Sequence, residues 1–248
     1  MTRLSLVVPY YKNPLMLAHQ YATWAAYPEP VKADLEVVLV DDGSPQPAAD
    51  VPRPEGLPAL RLYRVLEDRP WHQHGARNLG AHEATGPWLF LTDLDHLLPA
   101  HSLAAVLNLI RLADAQTVYT FFRVDAPLLQ PTRNDRGELK PHVNTFLMTK
   151  AHYWRVGGYD EACVGYGTDS YFRRRLRAAG RMRHLEDIRI IRVPREVIPD
   201  ASSYEPGVNP RVLRNRGRRT AETQRNLARQ ARRHLGPLTL DFPWERVQ

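Results

Sequence analysis

The sequence has a single cysteine among 248 residues, Cys163, so it can hold no internal disulfide framework and no multi-cysteine zinc site. That is the cysteine usage expected of a reducing, cytoplasmic compartment. Long apolar runs are also missing. No stretch reaches the roughly 20 residues that a membrane-spanning helix needs, and the opening run after Arg3 is too short for a secretory leader, so it reads as a first strand. Glycine-rich phosphate loops are absent too, with neither G-x-x-x-x-G-K-[ST] nor G-x-G-x-x-G after a strand. Any phosphate group would have to be held by metal and arginine. What the chain does have is ordinary globular composition, 43% hydrophobic and 25% charged, which excludes disordered, collagenous and coiled-coil classes. It also carries 34 Lys+Arg against 27 Asp+Glu, a net charge of +7 that points to an anionic partner.

Strand and helix patterns alternate along the first half. Leu4 to Val8 reads as a buried strand, and Asn13-Pro14 as the cap and first residue of a helix reaching Ala26. Leu35 to Val40 is a second strand, Leu60 to Val65 a weaker third, and Pro87 to Thr92 a fourth. Helices are predicted over Gly75 to Ala84 and from Ser102, whose apolar face is Leu103, Val106, Leu107 and Ile110. The predicted fold class is α/β, with a mostly parallel central sheet flanked by helices. Beyond it, Thr117 to Val124 is a strand, Asp125 to Val143 has no sustained period, and Asn144 to Tyr153 resumes strand and helix character. Asp169 to Ala179 is a basic helix stopped by Gly180, followed by two short strands near Arg181 to Leu185 and Ile188 to Val193. The chain then becomes arginine-rich between Arg211 and Arg233.

In an open parallel sheet, ligands collect beyond the carboxyl ends of the strands. Pro9-Tyr10-Tyr11, Asp41-Asp42 and Asp93-Leu94-Asp95 each follow a predicted strand, so the fold gathers them at one edge. Carboxylates spaced i, i+2 at a strand end suit a hard divalent cation that completes its shell with phosphate and water.

The order of Leu6-Val7-Val8-Pro9-Tyr10-Tyr11, Val38-Leu39-Val40-Asp41-Asp42-Gly43-Ser44, Gly75-Ala76-Arg77-Asn78-Leu79-Gly80, Leu89-Phe90-Leu91-Thr92-Asp93-Leu94-Asp95 and Gly157-Gly158-Tyr159-Asp160-Glu161, with Tyr166-Gly167-Thr168-Asp169, resembles glycosyltransferase family 2. The resemblance runs from residue 4 to about 180 and implies the Rossmann-like GT-A fold. It implies a GT-A domain over 1–195, with a nucleotide-binding half to about 98 and an acceptor half after it, and a basic extension over 196–248 packed on the same domain. Pro9, Tyr11, Asp41 and Asp42 would meet the base or ribose of a nucleotide-sugar, Asp42 more than Asp41, and Trp71 would stack on base or sugar. Arg77 and Asn78 would lie beside the donor, although Asn78 could equally brace the backbone. Asp95 would bind Mn²⁺ or Mg²⁺, Asp93 would face the ribose or the metal's water, and His96 would be an extra ligand. Asp169 stands where the family places its catalytic base. Tyr166, Gly167 and Thr168 would contact the acceptor, with Thr168 departing from the glutamate that many relatives have there.

The implied reaction is inverting transfer from a nucleoside-diphosphate sugar, expected to be UDP-linked, to an acceptor hydroxyl, with Asp125 to Val143 closing over the site. The acceptor is expected to be a saccharide or, given the arginines over 211–233, a hydroxymethylated DNA base of phage type. Two other readings fit parts of the pattern. A nucleotidyltransferase shares the layout but usually opens on a glycine-rich basic loop, and a non-catalytic nucleic-acid-binding module would account for the arginines alone.

Overall fold

The computed structural model describes residues 3–69, 72–126, 129–131, 133, 136–139, 141–161, 169–194, 196–199 and 240–248. Among the described residues ten strands form one sheet: β1 (Leu4–Tyr10), β2 (Leu35–Asp41), β3 (Ala59–Val65), β4 (Trp88–Leu91), β5 (His96–Leu97), β6 (Thr117–Asp125), β7 (Gln130–Pro131), β8 (Pro141–Thr149), β9 (Arg181–Arg192) and β10 (Trp244–Arg246). The order across it is β10-β3-β2-β1-β4-β8-β6-β9-β5, with β7 paired to β6. Strands β3, β2, β1 and β4 are parallel, as the β-branched runs separated by helices predict. The helices are α1 (Pro14–Ala25), α2 (Glu29–Lys32), α3 (Gln73–Glu83), α4 (Ala100–Leu109), α5 (Lys150–Arg155) and α6 (Asp169–Ala179).

Both faces of the sheet are covered. Leu17, Tyr21 and Trp24 of α1 pack with Leu103 and Val106 of α4 against one face, while Ala76 and Leu79 of α3, Tyr153 of α5 and Phe172 and Leu176 of α6 pack against the other. Asn13 caps α1, its Oδ1 accepting from the Met16 amide at 3.0 Å, and Pro14 fills the first turn where no amide hydrogen is needed. On the opposite face α3 lies so close to the sheet that a Cβ at Gly80 would come within 2.4 Å of Val7. Larger residues there would push the helix outward, and with it the residues one turn earlier that reach the site.

Two expectations are corrected. The stretch Asp125 to Val143, read as irregular, is in part an antiparallel arm: β7 turns back on β6, Arg133 bridges Leu139, and β8 already begins at Pro141. Proline, arginine and glycine hid that pairing because hydrogen bonding between strands leaves no period in a polar sequence. The two short strands after Gly180 are one strand, β9, which pairs in parallel with β6 and slips register between Phe121 and Phe122. At the far edge β10 returns antiparallel to β3, Trp244 pairing with Val65. Residues 201–239, including the arginines over 211–233, lie outside the described residues. Among the described residues no helix is long and apolar enough to cross a membrane.

Candidate active site

The carboxyl ends of β1, β2 and β4 open on one edge of the sheet. Antiparallel β8 delivers its amino end there too, since Phe146 pairs with Leu91 and residues 142–145 therefore lie beyond the end of β4. This brings together residues from opposite halves of the chain.

Asp41 and Asp42 have separate tasks. Asp41 is buried, its two carboxylate oxygens accepting from the Ser44 and Ala48 amides at 2.8 Å each, so it fixes the turn after β2 rather than facing a ligand. That turn needs Gly43, whose φ of +71° and contact with the Glu67 carbonyl leave no space for a Cβ. Asp42 is buried with one oxygen 3.0 Å from His72 Nδ1, a partner the sequence reading missed. Pro9 is half-buried at the end of β1, and the Tyr11 hydroxyl meets both oxygens of Asp68 at 3.0 and 3.1 Å. Trp71, Tyr166, Gly167 and Thr168 lie outside the described residues.

Arg77 and Asn78, expected beside the donor, are braces here. Both are fully buried. Asn78 Oδ1 accepts from Tyr153 Oη at 2.5 Å and Tyr159 N at 2.9 Å, while Nδ2 donates to Tyr159 O at 2.9 Å and Glu161 Oε1 at 2.6 Å. All four hydrogen-bonding positions of the amide are used, which leaves none for a nucleotide. Arg77 donates to the Asn144 carbonyl at 3.0 Å, to Tyr159 Oη at 3.1 Å and to Asp93 Oδ1. The guanidinium thereby positions and neutralises Asp93, while its buried Nε has no hydrogen-bond partner among the described residues.

Asp93, His96 and His142 present ligand atoms that lie within 4.8 Å of one another. His142 Nδ1 is 2.8 Å from Thr145 Oγ1, which fixes the ring with Nε2 3.7 Å from Asp93 Oδ2. His96 Nδ1 lies 2.6 Å from Asp95 Oδ1 without hydrogen-bond alignment, and its buried Nε2 has no hydrogen-bond partner among the described residues. Burial lowers the pKa of His142 well below the usual imidazole value, aided by His96 and Arg123, so it presents the neutral ring a metal requires. Burial also raises the Asp93 carboxyl despite Arg77 and His96, with Asp95 and Asp169 adding to the effect. One carboxylate, two imidazoles and an orphaned ring nitrogen fit a divalent cation. Of the three residues expected at the metal, Asp93 and His96 are in this cluster, whereas Asp95 stands beside His96. There burial would raise the Asp95 carboxyl, but His96, Arg123 and Arg192 outweigh it and hold it below the usual range.

Asp169 begins α6 and is 7% exposed. Its Oδ1 is 3.1 Å from His74 Nε2, and His74 Nδ1 is 3.3 Å from the Asp160 carbonyl. An ionised carboxylate only accepts, so the contact with Asp169 needs its proton on Nε2. Burial alone would raise the Asp169 carboxyl; the hydrogen bond and charge of His74, followed by Arg77 and Asn144, hold it below the usual range. A buried carboxylate kept ionised beside a cation cluster can accept a proton from a hydroxyl brought to it. His72 and His74, two residues apart just before Arg77, were the signal available for these contacts.

The family model for glycosyl transferase family 2 matches residues 5–173. No curated protein matches the chain. Among solved structures, S. aureus TarS 1-349 superposes with a TM-score of 0.64 at 18% identity, covering 94% of this chain and 72% of that one. A mannosyltransferase from Pyrobaculum calidifontis, in complex with GDP-Man and Mn²⁺, gives a TM-score of 0.56 at 20% identity, over 76% of this chain and 56% of that one. The likeness in fold, and a family match that spans the strand ends, the histidine cluster and Asp169, lead to one assignment: the chain belongs to glycosyltransferase family 2 and is a GT-A glycosyltransferase.

Proposed function

We propose that this protein is a metal-dependent, inverting glycosyltransferase that moves a sugar from a nucleoside-diphosphate sugar, UDP-linked by preference, to an acceptor hydroxyl. The observation that carries the reading is Asp169, buried, held ionised by His74, and sharing Arg77 with the Asp93, His96 and His142 cluster. Asp93, His96 and His142, with Asp95 adjacent, would hold a Mn²⁺ or Mg²⁺ ion, which would supply positive charge to offset that of the diphosphate leaving group. The Mn²⁺ and GDP-Man held by the Pyrobaculum enzyme of the same fold support that choice of metal and donor class.

In this mechanism Asp169 takes the proton of the acceptor hydroxyl as the oxygen attacks the anomeric carbon. The new glycosidic bond forms on the face opposite the breaking bond to phosphate, and nucleoside diphosphate departs. His74 keeps the carboxylate oriented, and Arg77 keeps Asp93 in place. Asp42 and Tyr11, just beyond the ends of β2 and β1, are the groups assigned in this reading to base and ribose. A panel of nucleotide-sugars with Mn²⁺, scored for nucleoside diphosphate release and for the anomeric configuration of the product by NMR, tests the reading. Release with inverted configuration is expected; retention, or pyrophosphate release from a nucleoside triphosphate and sugar phosphate, would contradict it.

A further inference from the structure

The geometry points to a second binding site beside Asp169, a basic groove between α6, β6 and β9 that receives an acceptor oligomer bearing anionic groups, carboxylate or phosphate. This rests on the transferase reading above and adds the chemical class of the acceptor. The groove has a volume of about 660 Å³ and is lined by Phe122 of β6, Pro141 at the start of β8, Arg173 and Arg177 of α6, and His184 and Glu186 of β9. Clefts of that size hold ligands of a few rings.

Charge in the groove is unbalanced. Arg173 and Arg177 stand four residues apart, on one face of α6, where like charges repel. Several other arginines of this half are engaged: Arg175 donates to the Gly158 carbonyl, Arg123 and Arg192 meet Asp125, and Arg189 donates to the Glu186 carbonyl. Neither Arg173 nor Arg177 has a hydrogen bond or ion pair among the described residues, and Glu186 is the one carboxylate in the lining. Burial and then Arg177 lower the pKa of Arg173; burial and then Arg173 and Arg177 lower that of His184. Positive charge at Arg173 and at His184 is thus disfavoured by its surroundings. An anion lying between them would relieve that repulsion, and guanidinium groups bind carboxylate and phosphate in a two-pronged geometry.

Placement links the groove to the reaction. Asp169, Arg173 and Arg177 share a helix face at successive turns, so at about 1.5 Å per residue the arginines lie roughly 6 and 12 Å along α6 from the base. An acceptor whose reactive hydroxyl is at Asp169 would lay its neighbouring units across Arg173 and Arg177. Phe122 and Pro141 supply an apolar wall for the C–H face of a sugar ring. The slip in register between β6 and β9 at Phe121 and Phe122 falls at this point, and Glu186, one of the residues it leaves unpaired, lines the groove.

Calorimetric titration of the full chain at low ionic strength, in EDTA so that the metal-dependent donor site does not compete, tests the inference. Tripolyphosphate and tri-galacturonate serve as probes, and the tighter of the two names the anion. Because residues 211–233 carry arginines of their own, R218Q/R219Q is run beside R173Q/R177Q, and R173K/R177K checks that charge rather than folding is read. At least one probe is expected to bind the wild type, to weaken about tenfold or more in R173Q/R177Q, to recover in part in R173K/R177K, and to hold in R218Q/R219Q. Nucleoside diphosphate release from nucleotide-sugars is measured separately on the wild type. Turnover without any binding that depends on Arg173 and Arg177 would overturn the groove alone, whereas absence of turnover with every donor would remove the acceptor role together with the transferase reading. Tighter binding of a short DNA duplex than of either probe, lost in R173Q/R177Q, would assign the groove to nucleic acid and overturn the oligomer.

Discussion

His74 holds Asp169: its Nε2 lies 3.1 Å from the carboxylate while its Nδ1 lies 3.3 Å from the Asp160 carbonyl, so the ring is pinned between the helix that carries the base and the turn before it. The consequence is an ionised carboxylate in a site where burial alone would raise its pKa.

Replacing His74 with Ala removes the largest opposing influence and leaves burial in control, so the pKa of Asp169 should rise. A base with a raised pKa is protonated at higher pH, and the acid limb of the rate profile should move upward accordingly. The rate at neutral pH is expected to fall about tenfold to a hundredfold. A pH profile of nucleoside diphosphate release checks this; an acid limb unchanged from wild type would mean that His74 does not set the state of the base.

His142 should matter to metal affinity before it matters to anything else. His142→Ala removes one of three clustered donors, and the Mn²⁺ concentration for half-maximal nucleotide binding should rise about tenfold to a hundredfold, as loss of a supporting contact at a metal site typically does. Manganese titration of the free protein by electron paramagnetic resonance reads it without catalysis. Equal affinity in wild type and variant would move the metal to Asp95.

Arg77→Met should be among the most damaging changes for stability. It leaves Asp93 without its guanidinium partner and the Asn144 carbonyl and Tyr159 hydroxyl without a donor, for a loss of about 3 to 5 kcal/mol. Adding Asp93→Asn should return part of that loss, since the stranded charge is removed. Urea unfolding of the two single variants and the double variant closes the cycle; strict additivity would indicate that the two residues do not interact.

How much of this was readable in the chain follows from where each contact comes from. Asn13 capping α1, the parallel strands and Asp169 at the start of α6 are local patterns, set by residues a few positions apart. His142 was invisible for a topological reason: it opens an antiparallel strand whose amino end arrives where the parallel strands finish, and nothing in a polar, proline-containing stretch marks that direction. Asp41 and Arg77 were legible as residues but not as roles, and for Asn78 bracing was one of two open readings. Whether an amide or carboxylate faces a ligand or its own backbone depends on how many of its hydrogen bonds the fold already uses, which only the packed structure shows.

The most direct test is transfer by Asp169→Asn, measured as nucleoside diphosphate release in the presence of donor, Mn²⁺ and acceptor, with donor binding measured alongside. Asparagine keeps the shape and cannot take the proton, so donor binding should stay near the wild-type value while transfer falls by about a hundredfold to ten-thousandfold. Transfer within a few-fold of wild type by a folded, donor-binding Asp169→Asn protein would contradict the assignment of Asp169 as the base.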